Sequence, residues 1–240
     1  MAEDELFQIC EEIDIPLVTY DLEAVKRFEK DITCFFSVHL LYYAFKEDLI
    51  SKEKALISVE KMKTMNTSNI SIETEDLFLR SITMEYKEQI FEEFTPEITT
   101  YMYPKSPEKI EGVIKFIKKA KKENEEGSNF QTVVLDKETE EFLGCAGLHH
   151  IDEPTPELGI WLKKSAHGNG YGMEAMTALK GWADENLDYE YITYPVAEEN
   201  IPSRKIPENL GGEICDEYDE KNMSGKELHM LEYRIYPDEG

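Results

Sequence analysis

The stretch Glu157-Leu158-Gly159-Ile160-Trp161-Leu162-Lys163-Lys164-Ser165-Ala166-His167-Gly168-Asn169-Gly170-Tyr171-Gly172-Met173-Glu174-Ala175 reads as a strand, a glycine-rich turn and the start of a helix. Gly168, Gly170 and Gly172 lack the Cβ that would keep main-chain N–H groups from turning toward one point. The helix behind them adds the positive end of its dipole, so turn and helix together make an anion cradle suited to phosphate. The spacing G-x-G-x-G is not the dinucleotide register G-x-G-x-x-G, and no Gly-Lys-Ser/Thr follows to make a nucleoside-triphosphate loop. The chemistry is that of a different pyrophosphate cofactor.

The elements around the cradle follow from spacing. A strand is predicted over Asp76–Ser81, helices over Lys87–Phe94 and Lys109–Glu123, and strands over Phe130–Asp136, Phe142–His150 and Glu157–Leu162. After the glycine turn come a helix Tyr171–Glu185, a strand Tyr189–Val196, a helix Ile201–Asn209 and strands Gly212–Asp219 and Glu227–Tyr236. The class is α/β in the α+β sense, with layers of helix against a mixed sheet. Pro207 lies inside a short helix, which predicts a kink or an early stop before Gly211.

His167-x-x-Gly170-x-Gly172 after a strand resembles the R/Q-x-x-G-x-G/A loop of the GNAT acyltransferase superfamily, with His in the first position. Asn200-Ile201-Pro202-Ser203-Arg204 through Leu210-Gly211 is similar to that family's N-x-x-S-R…LG segment. Glu73 to Arg80, Phe94-Thr95-Pro96-Glu97 and Gly144-Cys145-Ala146-Gly147-Leu148 resemble the branch that includes ribosomal-protein N-terminal acetyltransferases, so the likeness covers residues 71–237.

The resemblance implies a mostly antiparallel central sheet with flanking helices and a splayed strand pair, and acetyl-CoA as cosubstrate. It implies that Trp161, Leu162 and Lys163 offer main-chain groups to the pantetheine arm. His167, Gly168, Asn169, Gly170, Tyr171, Gly172 and Met173 would hold the pyrophosphate, and Asn200 and Ser203 would touch the coenzyme, Asn200 also serving as a helix N-cap. It makes Glu157 the general base toward an amine, the rival account being a surface carboxylate at a strand start. Tyr101, Tyr103 and His150 would border the acceptor pocket, packing or surface roles standing beside that. The family's proton-donating Tyr, seven residues after the Asn, falls on Pro207, which has no proton to give. Tyr194 or unassisted departure of the thiolate remains. The expected reaction is N-acetylation of a primary amine, a protein amino terminus or a small amine such as a polyamine. The competing class is a non-catalytic coenzyme-binding or interaction module.

Composition narrows the partners. The chain has 240 residues with 51 acidic against 26 basic side chains, a formal charge of −25, and no basic stripe to displace counterions from nucleic acid. Its longest apolar run, residues 34–45, is far shorter than the roughly 20 residues a membrane helix needs. Four scattered Cys and an acidic start without a secretory pattern point to a reducing cytoplasm. His149 and His150 are adjacent on a strand and face opposite ways, so no metal site is expected.

A boundary is expected in the polar stretch 66–69, dividing a helical appendage, residues 1–68, from a domain over 69–240. Residues 7–63 resemble the closing half of a PIN-type nuclease domain, with Asp21 matching a late catalytic aspartate. The other carboxylates such a metal site requires are missing, so the appendage is expected to pack on its neighbour or to mediate self-association as a homodimer.

Overall fold

A computed structural model of the chain describes residues 65–238. The helical appendage, up to residue 64, and with it the PIN-like stretch 7–63, lie outside the described residues.

The described elements run β1 (Ser71–Glu73), β2 (Leu77–Ser81), α1 (Lys87–Glu93), α2 (Ile110–Glu126), β3 (Asn129–Asp136), β4 (Phe142–His149) and β5 (Glu157–Leu162). Then follow α3 (Tyr171–Asn186), β6 (Ile192–Ala197), α4 (Ile201–Asn209), β7 (Glu213–Lys221) and β8 (Glu227–Ile235). The strands form one eight-stranded sheet in the order β1-β2-β3-β4-β5-β6-β8-β7. Every neighbouring pair is antiparallel except β5 and β6. This is the mixed, mostly antiparallel sheet with flanking helices expected above.

Each face has its own core. Because side chains alternate along a strand, Leu158 and Leu162 point to one side of β5, and Glu157, Gly159 and Trp161 to the other. On the first side Ala175, Met176, Leu179 and Ala183 of α3 are fully buried against Phe130, Leu148, Leu158 and Tyr233. On the second, Ile90 of α1 and Val113, Ile117 and Ala120 of α2 cover Val133, Leu135 and Cys145, with Trp161 packed alongside. Burying one such aliphatic side chain stabilises the fold by about 1.5–3 kcal/mol.

Local chemistry sets the ends of the elements. Helix α2 runs three residues past the expected Glu123, because its buried stripe Val113, Ile117, Ala120 and Asn124 continues that far. The Asn124 amide fits a buried position by pairing with both main-chain groups of Gln131, accepting from its N–H at 2.8 Å and donating to its carbonyl at 2.9 Å. Gly127 then stops the helix at φ 71°, with the Gly127 and Ser128 N–H groups donating to the Asn124 and Glu123 carbonyls. Thr67 is fully buried and its hydroxyl donates to the Asn129 carbonyl at 2.8 Å, tying the segment before β1 to β3. Helix α4 ends at Asn209, before Gly211, as Pro207 predicts, and Gly212 N–H donates to the Pro207 carbonyl at 2.8 Å.

Candidate active site

Strands β5 and β6 touch once and then part. Their register holds a single pair, Glu157 with Thr193, sealed by the Thr193 N–H donating to the Pro156 carbonyl at 2.8 Å. On its other edge β5 stays paired with β4 as far as Gly144 with Leu162. Beyond Glu157, one edge of β5 therefore has no strand against it among the described residues, and its main-chain groups are free to bind something extended. The close approach of β4 depends on Gly144, where a Cβ would lie 2.2 Å from the Trp161 carbonyl oxygen. A bulge at the Phe142–Gly144 end of β4 shifts its register with β3 at the same place.

The gap opens toward the glycine turn. After one tight turn over Lys164–Ala166, Gly168 and Gly170 take φ values of 82° and 87°, a region that favours glycine, and nothing lies within 4 Å of a Cβ built on either. The N–H groups of Gly168, Asn169, Gly170, Tyr171, Gly172 and Met173 have no hydrogen-bond acceptor among the described residues; the first paired amide of α3 is that of Glu174, which donates to Gly170. Six consecutive free donors around a bend, at the positive end of a sixteen-residue helix, fit a diphosphate. Glu174 moors this end, its carboxylate accepting from the Thr74 hydroxyl at 2.6 Å and the Asp76 N–H at 2.8 Å.

His167 does not reach into the cradle. Its Nε2 lies 2.9 Å from the Leu162 carbonyl, to which it donates, so the ring clamps the turn to the end of β5. Lys163 is almost fully buried, its ammonium paired with Glu141 and its own N–H donating to Leu143 at 2.7 Å. It holds β5 against β4, and its carbonyl already accepts from the Ala166 N–H at 3.0 Å, so the main-chain contact to the pantetheine arm expected of Lys163 is taken up within the protein.

Glu157 stands where the gap begins, on the α1–α2 face. Burial pushes its carboxyl above the ordinary carboxylate range; His150 opposes the shift, and Glu232 and Glu220 add to it. Register places Asp216, Tyr218 and Glu220 of β7 and Met230, Glu232 and Arg234 of β8 on that same face, so the wall beyond Glu157 is acidic apart from the Arg234 guanidinium, which lies 4.4 Å from the Tyr191 ring centre. Its residues were missed in the sequence, although the alternation Asp216, Tyr218, Glu220 was visible there.

The three expected acceptor-side residues separate. Tyr101 packs on Ala197, Leu228 and Met230, with the Lys226 ammonium 4.3 Å from its ring centre, so it covers the far part of the acidic wall. Tyr103 is 55% exposed and meets the β7–β8 turn through its carbonyl, which accepts from Met223 at 3.0 Å. His150 sits just past β4 at φ 56°, exposed, with Nδ1 3.7 Å from Glu153. The histidine that shares the face of Glu157 is His149, directly opposite it in the β4–β5 register. Trp161 completes this side with its ring 4.7 Å from that of Phe94.

Asn200 caps α4, its Oδ1 accepting from the Ser203 N–H at 3.4 Å, as its residue type and position predict. The Ser203 hydroxyl meets the Tyr194 hydroxyl at 2.9 Å, and burial holds the Tyr194 phenol up at about 12. Pro207 is buried and supplies no proton. Among the described residues no group of three or more His, Cys, Asp or Glu is placed to hold a metal, and no helix is long and apolar enough to cross a membrane.

Residues 76–213 match the family model of the acetyltransferase (GNAT) domain, more than half of the chain. The chain belongs to the GNAT acetyltransferase family. It is 28% identical over 140 residues to the uncharacterized N-acetyltransferase p20 of Bacillus licheniformis, an alignment spanning 57% of this chain and 79% of that protein. Its fold is similar to that of a Vibrio cholerae spermidine N-acetyltransferase solved with CoA and spermine, with a TM-score of 0.60 at 17% identity over 68% of this chain and 97% of that one. It is likewise similar to a ribosomal L7/L12 alpha-N-protein acetyltransferase, with a TM-score of 0.62 at 15% identity over 70% of this chain and 94% of that one. As a GNAT protein it is an acetyl-CoA-dependent acyltransferase.

Proposed function

We propose that this GNAT protein acetylates a primary amine, with Glu157 as general base and the Gly168–Met173 turn holding the pyrophosphate of acetyl-CoA. One observation carries the reading: a run of free amides and a half-buried carboxylate stand at opposite ends of the same open strand edge. Acetyl-CoA supplies an acetyl group activated as a thioester. Residues of the chain supply the remainder.

The main-chain groups of Trp161 and Lys163 face β4, so on the free edge of β5 it is Ile160 and Leu162 that receive the extended arm and offer N–H donors where negative charge develops on the acyl oxygen. Holding both partners against one strand makes the encounter effectively intramolecular. Glu157 accepts a proton from the attacking amine, directly or through one water. Its raised pKa brings it nearer the range where a carboxylate works as a base without becoming inert. A thiol with a pKa near 8.5 leaves as thiolate without a strong acid, which suits Pro207 in place of a tyrosine. Asn200 and Ser203 hold the start of α4 beside the coenzyme, and Tyr194 orients Ser203.

For the acceptor, the acidic wall of Asp216, Glu220 and Glu232 favours an amine that carries positive charge. A protein amino terminus is our first assignment, in line with the ribosomal-protein acetyltransferase among the similar structures. The same wall favours a polyamine as the second reading, in line with the spermidine acetyltransferase. Calorimetry with CoA, followed by thiol release from acetyl-CoA with a panel of amino-terminal peptides and polyamines, tests the proposal. Heat on CoA addition and amine-dependent release are expected. Heat without release by any amine would favour a coenzyme-binding module, and no heat at all would remove the cradle.

A further inference from the structure

Beside Glu157 lies an imidazole that the mechanism above leaves unused. His149 and Glu157 are register partners on β4 and β5, and directly opposed residues of an antiparallel pair point to one face with Cβ atoms about 4.5–5.5 Å apart. The next β5 residue on that face is Gly159, and a Cβ built there would lie 3.6 Å from His149 Nε2 and 3.8 Å from its Cδ2. The ring therefore leans over the glycine, between Glu157 and Trp161, in space that a side chain at 159 would contest. It is half-buried and makes no hydrogen bond to any described residue, although Glu123 and Lys119 of α2 lie near it. Burial brings its pKa down to about 4, so at neutral pH it is an uncharged imidazole with one nitrogen lone pair available.

We propose that His149 accepts a hydrogen bond from the acceptor nitrogen, so that Glu157 and His149 hold the two N–H bonds of a primary amine and leave its lone pair directed at the acyl carbon. This rests on the reading of Glu157 as the base. In the transfer step the amine nitrogen bonds to the acyl carbon and the carbon–sulfur bond breaks. Sulfur leaves with that electron pair as thiolate, and one amine proton passes to Glu157. The other N–H stays in the amide product, still donating to His149. A secondary amine has one N–H and cannot satisfy both acceptors, so the pair selects primary amines.

Methylamine and dimethylamine, small enough to enter an amine site of any shape, are the probes, and thiol release from acetyl-CoA is the readout. His149→Leu is expected to raise the KM for methylamine about tenfold, the loss of one neutral hydrogen bond. Its CoA affinity by calorimetry and its rate with dimethylamine should stay within about twofold. His149→Gln, which keeps a polar atom near the place of Nε2, should recover most of the loss. Three results would overturn the clamp: methylamine kinetics in His149→Leu within twofold of the parent, an equal loss for both amines, or no saturable methylamine-dependent release by the parent. Glu157→Gln separates the two proposals. Full activity there with a deficient His149→Leu removes the base and keeps the His149 contact, and the converse removes the clamp alone.

Discussion

Replacing Gly170 by Ala puts two quantities at odds that a merely structural turn would move together. Gly170 has φ 87° with nothing within 4 Å of a built Cβ, so the methyl meets no protein atom and the cost is backbone strain. An L-residue in that region costs about 1–2 kcal/mol. For a folded unit of this size each kcal/mol moves Tm by about 2–4 °C, so a fall of roughly 2–8 °C is expected. If the chain relieves the strain by rotating residue 170, the N–H groups of Gly170 and Tyr171 turn away from the cradle. Two hydrogen bonds to a charged group, at about 1.5–3 kcal/mol each, correspond to a CoA Kd weaker by roughly 10² to 10⁴. Gly181 is the control: it lies inside α3, also in open space, and Ala there should raise stability by about 0.8–1 kcal/mol and leave CoA binding alone. Scanning calorimetry and titration calorimetry on the three proteins give both numbers. If the strain is kept, Tm falls by that amount and Kd holds; if it is relieved, Tm holds and Kd weakens, so a Gly170→Ala protein with both Tm and Kd unchanged would refute the cradle.

Further outcomes follow from the same geometry. Glu157 must be ionised to act, and burial raises its pKa, so kcat/KM should fall on the acid side at a pH above the ordinary carboxylate range; Glu157→Gln should abolish that limb in a pH–rate profile. The linked stability has the opposite sign. A raised carboxyl pKa favours the fold below the unfolded value and loses that contribution as pH rises through the folded one, so Glu157→Gln should be at least as heat-stable as the parent at pH 7. Gly144→Ala forces a Cβ to 2.2 Å from the Trp161 carbonyl and should lower stability by about 3 kcal/mol or more, measured by urea unfolding. Asn200→Ala removes an N-cap whose bond is long, 3.4 Å, so a loss of about 0.5–1 kcal/mol is expected in the same assay.

What could be read in advance was local. Gly168, Gly170 and Gly172 behind an apolar strand, Asn200 before a short helix, and Pro207 ahead of Gly211 each act through their own neighbours, and each sits where its type predicts. Which side chains share a wall is settled by pairing between strands far apart in sequence, and local spacing does not carry that. His150, expected at the acceptor pocket, stands one residue past β4 at φ 56°, exposed but with its charge acting on Glu157, and His149 is the residue paired opposite Glu157. Glu220 and Glu232 reach the same face only through the β7–β8 register, which a bulge between Ile214 and Asp216 shifts by one residue. His167 matched a family position whose side chain was expected near phosphate, and the nearby Leu162 carbonyl claims it instead.

The arrangement follows from one topological choice. A parallel β5–β6 pair cannot be closed by a hairpin and needs a crossover, which here is α3. The crossover helix must start where β5 ends, at Leu162, and the only β5–β6 pairing is at the other end of the strand, at Glu157. Anion cradle and base are therefore separated by the length of β5, five residues at about 3.3 Å, or roughly 17 Å. Any ligand that uses both must lie extended along the open edge with its reactive end at the closed one. This geometry makes the spacing itself testable. Lengthening the Lys163–Ala166 turn by one residue would shift the cradle while leaving Glu157 and His149 in place. Acetyl transfer should then fall far more than CoA affinity, and an equal loss of both would mean that the strand does not set the reach.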